Sequence, residues 1–96
     1  MSEHASIRTT YQMALVGMGH ESFEREEYEE ALRWYYKAPT IQPAPPYVLE
    51  HIVQTLVKLN RVSEAVPHLQ RLVDLIDGRS DLVVLLEELR GKLLVS

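Results

Sequence analysis

The stretch EEYEEALRWYYKAPTIQP (residues 26–43) returns 34 residues later as NRVSEAVPHLQRLVDLID (60–77). Glu30-Ala31 falls on Glu64-Ala65, Tyr35 on Leu69, Lys37 on Arg71 and Ile41 on Leu75. The same interval takes Leu15 to Leu49, Met18 to Ile52 and Ser22 to Leu56, and a further step reaches Val83 and Leu86. A unit that recurs at this interval is one that cannot bury its apolar face alone and must stack on its neighbours. The chain is therefore expected to fold as a stack of like units.

Hydrophobic spacing gives those units a helical form. Ile7, Tyr11, Ala14, Leu15 and Met18 make one stripe over residues 6–23, and Tyr28, Ala31, Leu32, Tyr35 and Ala38 a second. Pro39 is expected to end the second helix, since it lacks the helical donor and clashes with the preceding turn. The connector APTIQPAPP follows. Leu49, Ile52, Val53, Leu56 and Val57 mark a third helix over 47–59. Ala65, Val66, Leu69, Leu72, Val73 and Ile76 mark a fourth over 62–76, with a late start or slight bend at Pro67. Gly78 closes it, and Ser80 or Asp81 is expected to cap a fifth helix reaching about Val95. No stretch alternates with the two-residue period of a strand. The reading is all-α, about five helices in one domain over 1–96.

Composition narrows the function classes. With 96 residues, 46% hydrophobic and 25% charged, the chain suits one small globular unit and is too apolar for disorder. It has no cysteine, so disulfides and thiolate-held metals are excluded, and a reducing, cytoplasmic setting is expected. No signal peptide is evident in MSEHASIRTT, and the longest apolar run, Leu82 to Leu86, is far short of a membrane span. The net charge of −4 argues against nucleic acid as a partner. Six glutamates between 21 and 30 read as a solvated turn and an acid-rich helix start rather than a cation site.

The repeated residues resemble the tetratricopeptide repeat family, whose pattern is W-x2-L-G-x2-Y, then A-x3-F, then P. The first copy (10–43) reads Leu15-x2-Met18-Gly19-x2-Ser22, Ala31-x3-Tyr35 and Pro43. The second (44–77) reads Leu49-x2-Ile52-Val53-x2-Leu56, Ala65-x3-Leu69 and Asp77, and residues 79–96 resemble a terminal capping helix. The resemblance implies a right-handed superhelical array of helix-turn-helix units. Small residues at Gly19, Ala31 and Ala38 let the first pair approach closely. Val53 and Leu72 replace the small residues of the second copy, so a looser second pair is expected.

The family mostly binds proteins or peptides along the concave face lined by the first helix of each pair. Carried over, that face takes Met13, Val16, His20 and Phe23, then Tyr47, Glu50, His51, Gln54 and Lys58, then Asp81, Val84 and Glu88. One subgroup grips a terminal carboxylate with a clamp of basic residues and asparagine. The matching positions are Val16, His20, His51, Asp81 and Leu85, which carry no permanent positive charge, so that subgroup is excluded. Such a groove suits an amphipathic helix or extended peptide with few charges.

Nothing points to catalysis, a cofactor or a metal centre. Gly17-Met18-Gly19 lies inside a helical stripe with no strand before it and reads as packing. His4, His20, His51 and His68 lack the spacing that puts two imidazoles on one helical face, although His20 and His51 can meet across neighbouring helices, which leaves a metal or pH-sensing pair as a third, weaker alternative to polar groove residues. Trp34 and Tyr36 flank the second helix's core stripe and read as half-buried. The last helix carries Leu82, Leu85, Leu86, Leu89 and Leu93 inward, with Val83, Val84, Leu94 and Val95 outside that stripe. Either this outer face mediates homodimerisation, or neighbours cover half of a wide helix. A groove binding a protein or peptide partner and a self-associating structural subunit thus remain the two expectations.

Overall fold

The computed structural model describes residues 3–95, with side chains from Ser6 onward, so the side chain of His4 lies outside the described residues. Five helices follow in order: α1 (Glu3–Glu24), α2 (Tyr28–Ile41), α3 (Pro46–Lys58), α4 (Val62–Leu75) and α5 (Ser80–Val95). There is no strand among the described residues. Each helix packs on the next in sequence, giving a body of 50 × 31 × 18 Å.

The 34-residue interval holds in the backbone. Helices α2 and α4 open at residues 28 and 62, and α3 and α5 at residues 46 and 80. The turns repeat as well. Glu26 and Asn60 both take left-handed conformations, at φ 60° and 57°. The Glu27 and Arg61 amides each donate at 2.8 Å, to the carbonyls of Ser22 and Leu56. The Glu26 and Asn60 amides donate to Phe23 and Val57 at 2.9 and 3.0 Å. One left-handed residue thus satisfies the orphan carbonyls ending each first helix and turns the chain back.

Inside the stack, Ala31 and Ala65, Tyr35 and Leu69, and Ala38 and Leu72 are all fully buried. Gly19 meets Tyr35 so closely that an added Cβ would lie 2.6 Å from the ring. One repeat later the same pair of positions holds Val53 and Leu69. Volume passes from one partner to the other, and both are again buried. At this layer neither pair leaves its partner residues exposed, the glycine standing with the larger ring and the valine with the smaller leucine.

The first helix departs from its predicted stripe. Of Ile7, Tyr11, Ala14, Leu15 and Met18, only Leu15 is buried. The buried face carries Gln12, Leu15, Val16, Gly19 and Ser22 instead. In α3 the positions 34 residues after Ala14 and Met18 are Val48 and Ile52, and in α5 Leu82 and Leu86; all four are buried, and these helices pack back on α2 and α4. No helix precedes α1 in the described stack, so the corresponding face stays open.

Pro39 does not end α2, which continues to Ile41. The proline forfeits its own donor, and carbonyls near the helix end find side-chain partners. The buried Gln12 amide donates to Ala38 and Gln42 carbonyls at 3.0 and 2.8 Å, and Thr40 Oγ1 donates to the Lys37 carbonyl. Pro67 likewise sits within α4, whose start at Val62 it does not delay. Ser80 is the first residue of α5 rather than its cap, with Arg79 accepting the Leu82 amide. Gly78, at φ 79°, supplies the left-handed step after α4. The glutamates of 21–30 are all exposed, as a solvated run would be. No described helix is long and apolar enough to cross a membrane.

Candidate functional site

Helices α1 and α3 meet through side chains that the repeat interval places side by side. The Tyr47 hydroxyl donates to Met13 Sδ at 3.3 Å, linking residues 34 apart. One to two turns further along, the rings of His20 and His51 stand edge to face with centroids 4.4 Å apart. Tyr35 of α2 lies beneath both. Its hydroxyl is 2.7 Å from His20 Nδ1, and its ring stacks on His51 at 5.6 Å and 17°. Tyr47 closes the row with an edge contact to His51 at 6.2 Å. Gln54 hydrogen-bonds to His51 from the next turn of α3, and Thr55 Oγ1 donates to the His51 carbonyl.

Burial pushes the Tyr35 phenol up to about 12, with the Glu24 charge adding to the effect. The hydroxyl therefore keeps its proton, and the direction of its bond to Nδ1 follows the tautomer of His20. His51 is held below the usual histidine range, first by burial and then by the charge His20 would carry; Glu50 and the Gln54 hydrogen bond oppose this. The cluster is thus a surface of rings and amides that holds no fixed charge, with two imidazoles as its hydrogen-bonding centres. No group of three ligand-type residues comes together among the described residues.

Beyond this cluster the groove is polar. Arg79 bridges Glu50 at 3.2 Å and Asp81 at 3.0 Å, joining α3 to the start of α5. Its hydrogen bonds hold the Asp81 carboxyl below the ordinary range. Arg79 was absent from the sequence reading, and the signal available was Arg79 two residues before a carboxylate on the predicted groove. Its single charge offsets part of the repulsion that Asp81 and Glu50 would offer an acidic partner.

Met13, His20, Tyr47, His51 and Gln54 thus form one contiguous patch, and Glu50 and Asp81 a second one tied by Arg79. Val16 does not belong to either. It is 3% exposed and packs in the core, because the α1 face turned toward α2 includes it. Phe23 is half-buried, edge-on to Tyr28 at 5.2 Å, and leans on the core. Lys58, Val84 and Glu88 are exposed but take no part in these ring contacts or ion pairs. On the other face, Trp34 is half-buried with the Lys37 ammonium 4.7 Å from its ring centre. Tyr36 is hydrogen-bonded to His68 Nε2 at 3.1 Å.

His68 is also held low, by burial first and then by the Arg71 charge, against a smaller opposing effect of Glu64. Depressed histidines give a definite sign. Above the unfolded value of about 6.5 both states are neutral and the histidines contribute nothing. Below it the unfolded chain binds protons that the folded chain refuses, so stability falls as pH drops toward the folded values. We expect the melting temperature to decline between pH 7 and 5.5, and the decline to flatten in His51→Gln and His68→Gln. Calorimetry across that range checks this, and an unchanged slope in both variants would contradict it.

Comparison with models of protein families, with curated proteins and with solved structures found no match.

Proposed function

We propose that the chain is a non-catalytic protein-interaction module, a tetratricopeptide-like superhelical array that holds a partner segment against the α1–α3 face. The observation that carries this reading is the Met13–Tyr47–His51–His20–Gln54 patch. These side chains combine exposed apolar and aromatic surface with hydrogen-bonding groups, and none of them is a fixed charge. Aromatic and methionine side chains of this kind are enriched where proteins bind one another. The repeated turns at Glu26 and Asn60 support the array. With only two units and a last helix, the face is short, so affinity should be modest, about micromolar, unless several copies act together.

The fitting partner is an uncharged or mildly acidic segment with one or two apolar anchors and a backbone or side-chain group for His51 and Gln54. Selection of displayed random peptides on the immobilised chain tests it. Selected peptides should bind the purified chain, and His51→Ala with Gln54→Ala should weaken them by tenfold or more, about 1.4 kcal/mol or above. Selection that yields no binder, or binders indifferent to both changes, would remove the reading.

A second reading rests on the exposed apolar ends. Leu94 and Val95 are each 87% exposed, and Val83 and Val84 are exposed about three turns earlier on α5. Isolated exposed valines are ordinary, but four such side chains on a terminal helix favour a self-associating subunit. In that case no peptide is selected, and the chain sediments as a dimer that Val84→Glu with Leu94→Glu makes monomeric.

A further inference from the structure

A second concavity lies away from the histidine cluster and shares no residue with it. It is a cleft of about 400 Å³ between the end of α2, the proline-rich connector, α3 and α4. Pro39, Pro43, Pro45 and Pro46 line it. Proline rings are apolar, carry no amide donor and fix their own backbone torsion, so these walls are preformed rather than assembled on binding. Val48 and Ile52, both buried, belong to its lining, and Leu75 stands at it 58% exposed.

The polar groups of this cleft are few and of one kind. Arg71 is the single fixed charge among its lining residues. It makes no ion pair or hydrogen bond among the described residues, although the chain holds 14 acidic against 10 basic side chains. Asp74, nearby in sequence, accepts a hydrogen bond from Gln70 instead. Beside Arg71 is the hydrogen-bonded pair of Tyr36 and His68. When His68 carries its proton on Nε2 it donates to the phenol oxygen, which frees the Tyr36 proton for a ligand. A preformed apolar cleft of this size is within the range that takes small organic molecules. An unpaired guanidinium on its wall selects a planar anion, which it can bind with two parallel hydrogen bonds.

We propose that this cleft binds a small monocarboxylate with an apolar body, its carboxylate on Arg71 and its hydrocarbon against Pro39, Pro43, Pro46 and Leu75. A phosphate or dianion fits less well, because one guanidinium and one phenol are the donors available. The site is independent of the α1–α3 face, so failure of either reading leaves the other standing.

Octanoate is the probe, titrated into the full chain and followed by amide chemical shifts and calorimetry. Saturable binding in the range of roughly 0.1–1 mM is expected for a ligand of this size. Shifts should centre on Tyr36, Leu49, His68, Arg71 and Leu75. Octanol, with the body but no charge, and acetate, with the charge but little body, should each bind at least tenfold more weakly. Arg71→Gln should weaken octanoate at least tenfold with the melting temperature unchanged, since the side chain is exposed and unpaired. Leu75→Asp should do the same by removing apolar contact and adding a like charge. Octanoate that binds Arg71→Gln as well as the parent chain, that shifts other residues, or that fails to saturate by 10 mM would overturn the proposal.

Discussion

Gly19→Val is expected to lower stability by about 3 kcal/mol, at the upper end of the usual cost of overpacking. The first added carbon alone would stand 2.6 Å from a carbon of the Tyr35 ring. That ring is fully buried, and its hydroxyl is tied to His20, so it cannot swing aside. A domain of this length has about 5–14 kcal/mol in all, so the loss should shift the melting temperature by roughly 12–24 °C. The repeat itself supplies the compensating change. Position 53 is valine where position 69 is leucine, and both are buried. Gly19→Val combined with Tyr35→Leu should therefore cost clearly less than the sum of the two single changes, with a favourable coupling of about 1–3 kcal/mol. Simple additivity in chemical denaturation would mean that the two layers are not equivalent in packing.

The second large effect is at Tyr35. Tyr35→Ala should cost about 3–5 kcal/mol, as removal of a buried aromatic ring generally does. It opens the core between α1 and α2 and withdraws the ring on which His51 stacks. Tyr35→Phe separates the two roles. It keeps the packing and removes only the bond to His20, at a cost of about 1 kcal/mol. His20 is half-exposed, so water can replace the phenol at Nδ1. Partner binding should then weaken in the Phe variant while the fold persists. If Tyr35→Phe were as damaging as Tyr35→Ala, the hydrogen bond rather than the ring would be holding the helices together.

The parts of this structure that were legible in the sequence are those set by the repeat. Hydrophobic spacing placed all five helices, the 34-residue interval paired the fully buried Ala31 and Tyr35 with Ala65 and Leu69, and the neighbouring of α1 and α3 allowed His20 to meet His51. What failed was everything decided by which neighbour a face meets. Periodicity identifies an apolar stripe on α1, but no described helix packs on that face, so Met18 is 43% exposed while Ile52 is buried. Gln12 went unread, and it is buried with its amide on two carbonyls near the end of α2. The same bonds explain why Pro39 sits within a helix it was expected to end. Val16 was assigned to the groove by repeat position alone, and the rotation of α1 against α2 turns it inward. Arg79 went unread because its significance depends on Glu50, 29 residues away and adjacent only once α3 and α5 are folded.

The most direct test of the account is to map a selected peptide on the chain by amide chemical-shift perturbation in the isotope-labelled protein. The account predicts the largest shifts at Met13, His20, Tyr47, His51 and Gln54, with α5 beyond Glu88 and the proline-lined cleft unmoved. Shifts centred on Val83, Val84, Leu94 and Val95, or in the cleft around Arg71, would contradict it.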